Sequence, residues 1–268
     1  MNTSFAVFVA LLLPITASCT GDDSAETAST PSQGAQADNH AVETPPPTQR
    51  VVVVADDDTT IYAILYAFEG AAGAWTQAFH NPVTIGRNGL GWGIGLHDQA
   101  EIPQGDPIKH EGDGKAPMGV FALPQAWGYL PAASVDTRLP YERATPNLLC
   151  IDDVGSPFYN SVVDREAVGL PANDLPSHED MLRGDDLYKY TIFVAHNSPN
   201  PQPGAGSCIF MHIWSGADAA TAGCTSMDEA DMVRLVAWLD PAKSPTLVQL
   251  TRARYEAFET AWDLPPLP

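Results

Sequence analysis

From residue 51 onward the chain is patterned mainly by short apolar runs and two-residue alternation. Val51-Val52-Val53-Val54 and residues 61–68 are apolar, β-rich runs on either side of the turn-prone Asp56-Asp57-Asp58, and together they predict a hairpin. Residues 75–79 and 82–85 continue the strand pattern, and Asn88-Gly89 supplies a turn with positive φ. The glycines through Gly95 have no helix after them, so they read as turns and close backbone packing rather than a phosphate-cradling loop. Residues 112–119 form a polar, glycine-punctuated loop leading into Val120-Phe121-Ala122-Leu123. Residues 177–187 read as a short helix and 190–195 as a buried strand ending at His196-Asn197. In the strand 208–214, alternation puts Cys208, Phe210, His212 and Trp214 on one face, lining a cleft, and Ile209, Met211 and Ile213 on the core face. Residues 232–239 are helical, with Ser226 and Glu229 spaced as a capping box. The pattern permits a mainly β domain, a sandwich or barrel-like sheet arrangement with a helix behind the Cys224 turn.

The N-terminus changes the picture of where this domain works. Residues 5–15 are an apolar run too short to span a bilayer and placed as a secretory h-region. Thr16-Ala17-Ser18-Cys19 follows and resembles a bacterial lipobox with Cys19 as the lipidated residue, plain signal cleavage being the alternative. Residues 20–49, rich in Ser, Thr, Ala, Gln, Asp and Pro and free of aromatics, read as a disordered tether. The expected organisation is a signal segment with lipobox at 1–19, the tether at 20–49 and a single folded domain at 50–268, exported to the periplasm or cell envelope and held to the membrane by lipid alone.

The net charge of −20 argues against a nucleic-acid partner, because an acidic surface without a Lys/Arg cluster repels phosphate polymers. With Cys19 acylated and one cysteine needed for chemistry, Cys150 and Cys208 are left as a pair that an oxidising compartment can join. A zinc site from Cys208, His212 and Cys224 lacks any of the usual ligand spacings, so no metal is expected.

The candidate chemistry lies twelve positions apart, at His212 on its strand and at Cys224 in Thr221-Ala222-Gly223-Cys224-Thr225-Ser226-Met227. A thiol is mostly protonated at neutral pH, so a nucleophilic cysteine needs an imidazole base or an electropositive site. His212 would be the base, and a helix capped at Ser226 would lend its N-terminal partial charge. Gly223 would let substrate approach and leave its N–H, with that of Cys224, as an oxyanion hole. His196, His110 and His97 are lesser candidates for the base. Lys115, the only cation of the 112–119 loop, could orient a substrate carboxylate.

His212 followed by Thr221-Ala222-Gly223-Cys224 and Met227 resembles the H…[S/T]-H-G-C-I-R-M signature of L,D-transpeptidase (YkuD-type) catalytic domains, with Ala222 in place of a histidine, Ser226 in place of an arginine and a shortened His-to-Cys spacing. Ile85-Gly86-Arg87-Asn88-Gly89, residues 112–121, Cys150-Ile151-Asp152-Asp153, Tyr159-Asn160 and Val163-Asp164 resemble further segments of one branch of that family. The resemblance covers about residues 51 to 250. It implies the family's sandwich or barrel-like sheets with a few packed helices, and cysteine-dependent acyl transfer on peptidoglycan stem peptides. No cofactor is implied, since thiol chemistry needs only a base and dipoles. Two alternatives stand beside it: an L,D-carboxypeptidase using the same site, and a non-catalytic cell-wall-binding lipoprotein, in which Cys224 would be buried or disulfide-bonded.

Overall fold

Residues 51–54 can be apolar without alternation only if both faces of their strand are covered, and that is their situation. The computed structural model describes residues 47–71, 73–171 and 173–268. Residues 1–46, with Cys19, the h-region and most of the tether, lie outside the described residues.

In chain order the strands are β1 (Gln49–Ala55), β2 (Tyr62–Glu69), β3 (Thr76–Thr84), β4 (Leu90–Trp92), β5 (Ala116–Ala122), β6 (Ala126–Gly128) and β7 (Tyr141–Arg143). There follow β8 (Leu148–Ile151), β9 (Ser161–Asp164), β10 (His178–Asp180), β11 (Tyr190–Phe193), β12 (Phe210–Ile213) and β13 (Thr225–Met227). Helix α1 (Glu229–Trp238), strand β14 (Thr246–Thr251) and helix α2 (Arg252–Phe258) complete the described strands and α-helices. The expected hairpin is β1 with β2, antiparallel with Val52 opposite Tyr66, and β14 runs parallel on the other side of β1.

A large mixed sheet runs β4–β5–β14–β1–β2–β3–β13–β12–β11–β6–β7, beside a three-stranded sheet β10–β8–β9. The architecture is therefore mainly β, as expected. The alternation in β12 divides two cores: Ile209, Met211 and Ile213 join the main cluster with the β1 valines. Cys208 and Phe210 join a smaller one with Trp127, Leu148, Cys150, Tyr188 and Cys224. That smaller core fastens the three-stranded sheet to the large one. Cys150 and Cys208 are disulfide-bonded across it, with Cα atoms 5.9 Å apart. Their sequence separation of 58 makes the cross-link worth between about 3 and 5 kcal/mol on the chain-entropy account.

Two sequence expectations are overturned. Residues 177–187 form β10 and turns, not a helix, because Glu179 pairs opposite Cys150 in an antiparallel ladder and Arg183 chelates Asp185 in the turn that follows. The capping box at Ser226 also fails. Ser226 is a buried strand residue opposite His212 on one side and Thr84 on the other, with its hydroxyl 2.8 Å from that of Thr84. Once the ladder has taken Ser226, the next short acidic residue caps the helix: Asp228 accepts from the Ala230 N–H at 2.9 Å.

Candidate active site

Strands β12 and β13 are parallel neighbours, with Met211 opposite Thr225 and His212 opposite Ser226. Extending the ladder back one step sets Cys224 beside Phe210, whose N–H donates to the Cys224 sulfur at 3.4 Å. Residues two apart on a strand share a face, so Cys224 lies on the face of Ser226 and therefore of His212. The two groups sequence reasoning singled out are diagonal neighbours, and both line one cavity of about 190 Å³.

The crossover between these strands fixes the cysteine. Thr221 pairs with Gly86, and its hydroxyl donates to the Cys224 carbonyl at 2.6 Å while accepting from the Gly223 N–H at 3.1 Å. Gly223 has φ +152°, and a Cβ on it would come within 2.9 Å of the Lys115 carbonyl oxygen. Both facts require glycine. The Gly223 N–H is thus engaged by Thr221 rather than free, as the sequence reading had it.

His212 is oriented by its own chain: Nδ1 lies 2.7 Å from the Ile213 carbonyl oxygen. A carbonyl only accepts, so Nδ1 carries the proton and Nε2 the lone pair. Burial pushes this imidazole down to about 4, so it is neutral at pH 7 and able to accept a proton. Tyr188 packs on it with ring centroids 5.2 Å apart.

Cys224 differs from the sequence expectation. It is 6 % exposed and free of disulfides. Burial pushes its thiol up from 9.0 to about 12, the nearby Glu179 carboxylate adding to the effect and the Phe210 N–H opposing it. That rise of three units corresponds to about 4 kcal/mol, more than the ~2 kcal/mol upper range of a helix terminus. Cys224 also precedes the helix cap by four residues, so the expected dipole does not activate it. The resting site holds a neutral thiol, whose S–H is directed at the Cys208 carbonyl 3.7 Å away, beside a neutral imidazole. Cys224 is buried, yet it also lines a second cavity of about 150 Å³ with Arg87, Lys109, Glu111 and Asp152.

The remaining candidates lie away from the Cys224 sulfur, two of the histidines and the lysine bonded to backbone. His196 bridges the Ile94 N–H and the Ala205 carbonyl, and His97 accepts from the Val120 N–H. His110 is exposed and lines neither cavity beside Cys224. Lys115 donates to the Asn88 carbonyl at 2.9 Å, which commits it to the loop. Sequence reasoning missed Glu179 and Arg183, because they lie in the segment read as a helix, and Tyr188, which falls between that segment and the next strand; all three line the His212 cavity. The interruption by Gly184 and Asp185-Asp186 was the signal against that helix.

A family profile described as the L,D-transpeptidase catalytic domain (YkuD) matches residues 46–248, three quarters of the chain. The chain belongs to that family. A search of curated proteins returned no match to it. In this L,D-transpeptidase-family domain three of the segments that carried the resemblance reach the cysteine loop or its cavity: Gly86 pairs with Thr221, Lys115 abuts Gly223, and Asp152, just after β8, lines the second cavity. Ala222, where the signature has histidine, lines both cavities and offers no titratable group. L,D-transpeptidase-family function on peptidoglycan accompanies the membership.

Proposed function

We propose that this domain transfers acyl groups of peptidoglycan stem peptides through a thioester on Cys224, as an L,D-transpeptidase. The observation that carries the reading is the committed Nδ1 of His212, which leaves Nε2 as the uncommitted ring nitrogen of a histidine sharing a cavity with the thiol. Because thiol and imidazole are both neutral at rest, proton transfer accompanies attack instead of preceding it. The S–H bond breaks, sulfur bonds to the carbonyl carbon of the L,D-peptide bond, and the proton passes to His212 Nε2. The C–N bond then breaks as that proton moves to the leaving amine, giving a thioester and a neutral histidine. The Cys224 N–H, joined by the Gly223 N–H when it exchanges its bond to Thr221, receives the oxyanion. An amine or water releases the acyl group, the amine giving a cross-link and the water an L,D-carboxypeptidase product. The apolar run at 5–15 and the lipobox-like Cys19 support an exported, lipid-anchored enzyme of the cell envelope.

The burial of Cys224 favours one rival, a wall-binding protein without catalysis. Mass spectrometry of muropeptides incubated with the protein and with Cys224→Ala separates the readings. Cross-linked or trimmed products that vanish in the variant support acyl transfer, and unchanged muropeptides overturn it.

A further inference from the structure

The two cavities flanking Cys224 share three lining residues: Cys224, Ala222 and Glu179. Of the three, only Glu179 has an ionisable group besides the nucleophile. Its Oε2 accepts from the Tyr188 hydroxyl at 2.5 Å, and Tyr188 in turn packs on His212, so the carboxylate is held in place beside the reacting pair. No hydrogen bond from the described residues reaches Glu179 Oε1. Across the second cavity Asp152 Oδ1 is buried with no hydrogen-bond partner among the described residues. A buried carboxylate oxygen without a donor is costly. Asp152 therefore brings a second carboxylate to this cavity, alongside Glu179.

We propose that Glu179 is the acceptor-side group of this enzyme, binding the ammonium of an incoming primary amine in the second cavity and taking a proton from it before attack. The inference rests on Cys224 carrying the acyl group, as proposed above. An ammonium offers three N–H donors, which suits a cavity lined by the Glu179 and Asp152 carboxylates. Glu179 removes one proton, leaving a neutral amine whose lone pair forms the C–N bond as the thioester C–S bond breaks. The second N–H proton passes to His212 Nε2 and on to the departing thiolate, restoring the thiol, while Glu179 returns its proton to solvent. Burial and the Asp152 charge raise the Glu179 carboxyl above its ordinary value, which favours it as a base for a bound ammonium rather than as a permanently solvated anion. Water gains nothing from the ammonium-binding half of this role, so Glu179 biases the site toward transfer over hydrolysis.

The test uses the whole chain with a stem tetrapeptide as donor and an amine-bearing stem tripeptide as acceptor. Thioester formation is followed by intact-protein mass spectrometry, and the ratio of cross-linked to hydrolysed product by chromatography. In Glu179→Gln, acylation is expected to slow less than threefold while the cross-linked-to-hydrolysed ratio falls at least 20-fold, and Glu179→Asp is expected to restore part of that ratio. A ratio unchanged in a variant of parental melting temperature overturns the proposal, as does a parallel loss of acylation and transfer. Should Glu179→Gln fail to fold, Asp152→Asn carries the question: a KM for the amine raised about tenfold supports the proposal, and an unchanged KM counts against it. Failure of the underlying reading looks different, because the parent chain then forms no thioester at all and both claims fall together.

Discussion

His196 and His212 are both sunk into the protein, and burial pushes both imidazoles down to about 4. His196 has both ring nitrogens committed, Nδ1 accepting from the Ile94 N–H at 3.2 Å and Nε2 donating to the Ala205 carbonyl at 3.0 Å. Backbone crowds it as well, since a Cβ on Gly93 or on Gly206 would meet the ring at 2.7 or 2.8 Å. His212 has one nitrogen committed and the other left over, beside a cavity and a thiol. Burial and basicity are thus common to a structural histidine and a candidate base. What separates them is a spare lone pair facing empty space.

The comparison breaks most visibly in activity. Replacing His212 with Ala is expected to lower kcat for stem-peptide transfer by about 10²–10⁴-fold, the usual range for losing a general base. Replacing His196 with Ala should leave kcat per folded molecule within a few-fold. Quantified muropeptide products, normalised to folded protein by circular dichroism, check both, and equal losses would erase the distinction.

The next effect is on stability and its pH dependence. Each histidine has a folded value near 4, below the unfolded 6.5, so between those values the unfolded state binds more protons than the folded state. Stability is whole above pH 6.5 and drains away as pH falls toward 4, with a slope of about 1.4 kcal/mol per pH unit for each histidine. Urea unfolding at pH 7 and pH 5 should show that loss. His196→Ala should flatten the slope by one histidine's share while costing roughly 2–3 kcal/mol at pH 7 from the two backbone groups left unpaired.

Smaller effects sharpen the view of what holds the cysteine. Gly223→Ala adds a Cβ 2.9 Å from a backbone oxygen at φ +152°, so melting should report a loss of about 1–3 kcal/mol, with transfer slowed tenfold or more as the loop shifts. Ser226→Ala removes a bond to Thr84 and should cost about 1 kcal/mol in urea with helix content unchanged. A drop in helicity there would restore the helix-cap role that the strand pairing denies it.

Much of this was legible in residue order because it depends on periodicity. The two faces of β12 follow from alternation alone, and with them the separation of Ile209, Met211 and Ile213 from His212. The β1–β2 hairpin and the Asn88-Gly89 turn are equally local, and the family resemblance rested on the loop residues that do gather at Cys224. The losses have a common physical cause. Whether Ser226 caps a helix or joins a strand is decided by Thr84 and His212, distant partners that no local window contains. Residues 177–187 similarly take their conformation from pairing with β8, and with that segment went Glu179 and Arg183. The state of the Cys224 thiol depends on how deeply distant stretches of the chain enclose it, a property of the assembled fold and not of its neighbours in the chain.

The most direct measurement is intact-protein mass spectrometry of the whole chain mixed with a stem tetrapeptide, with any adduct located by peptide mapping. The account expects an acyl thioester on Cys224 in the parent, none in Cys224→Ala, and a much slower appearance in His212→Ala. A parent chain that stays unmodified, or an adduct that survives Cys224→Ala, contradicts it.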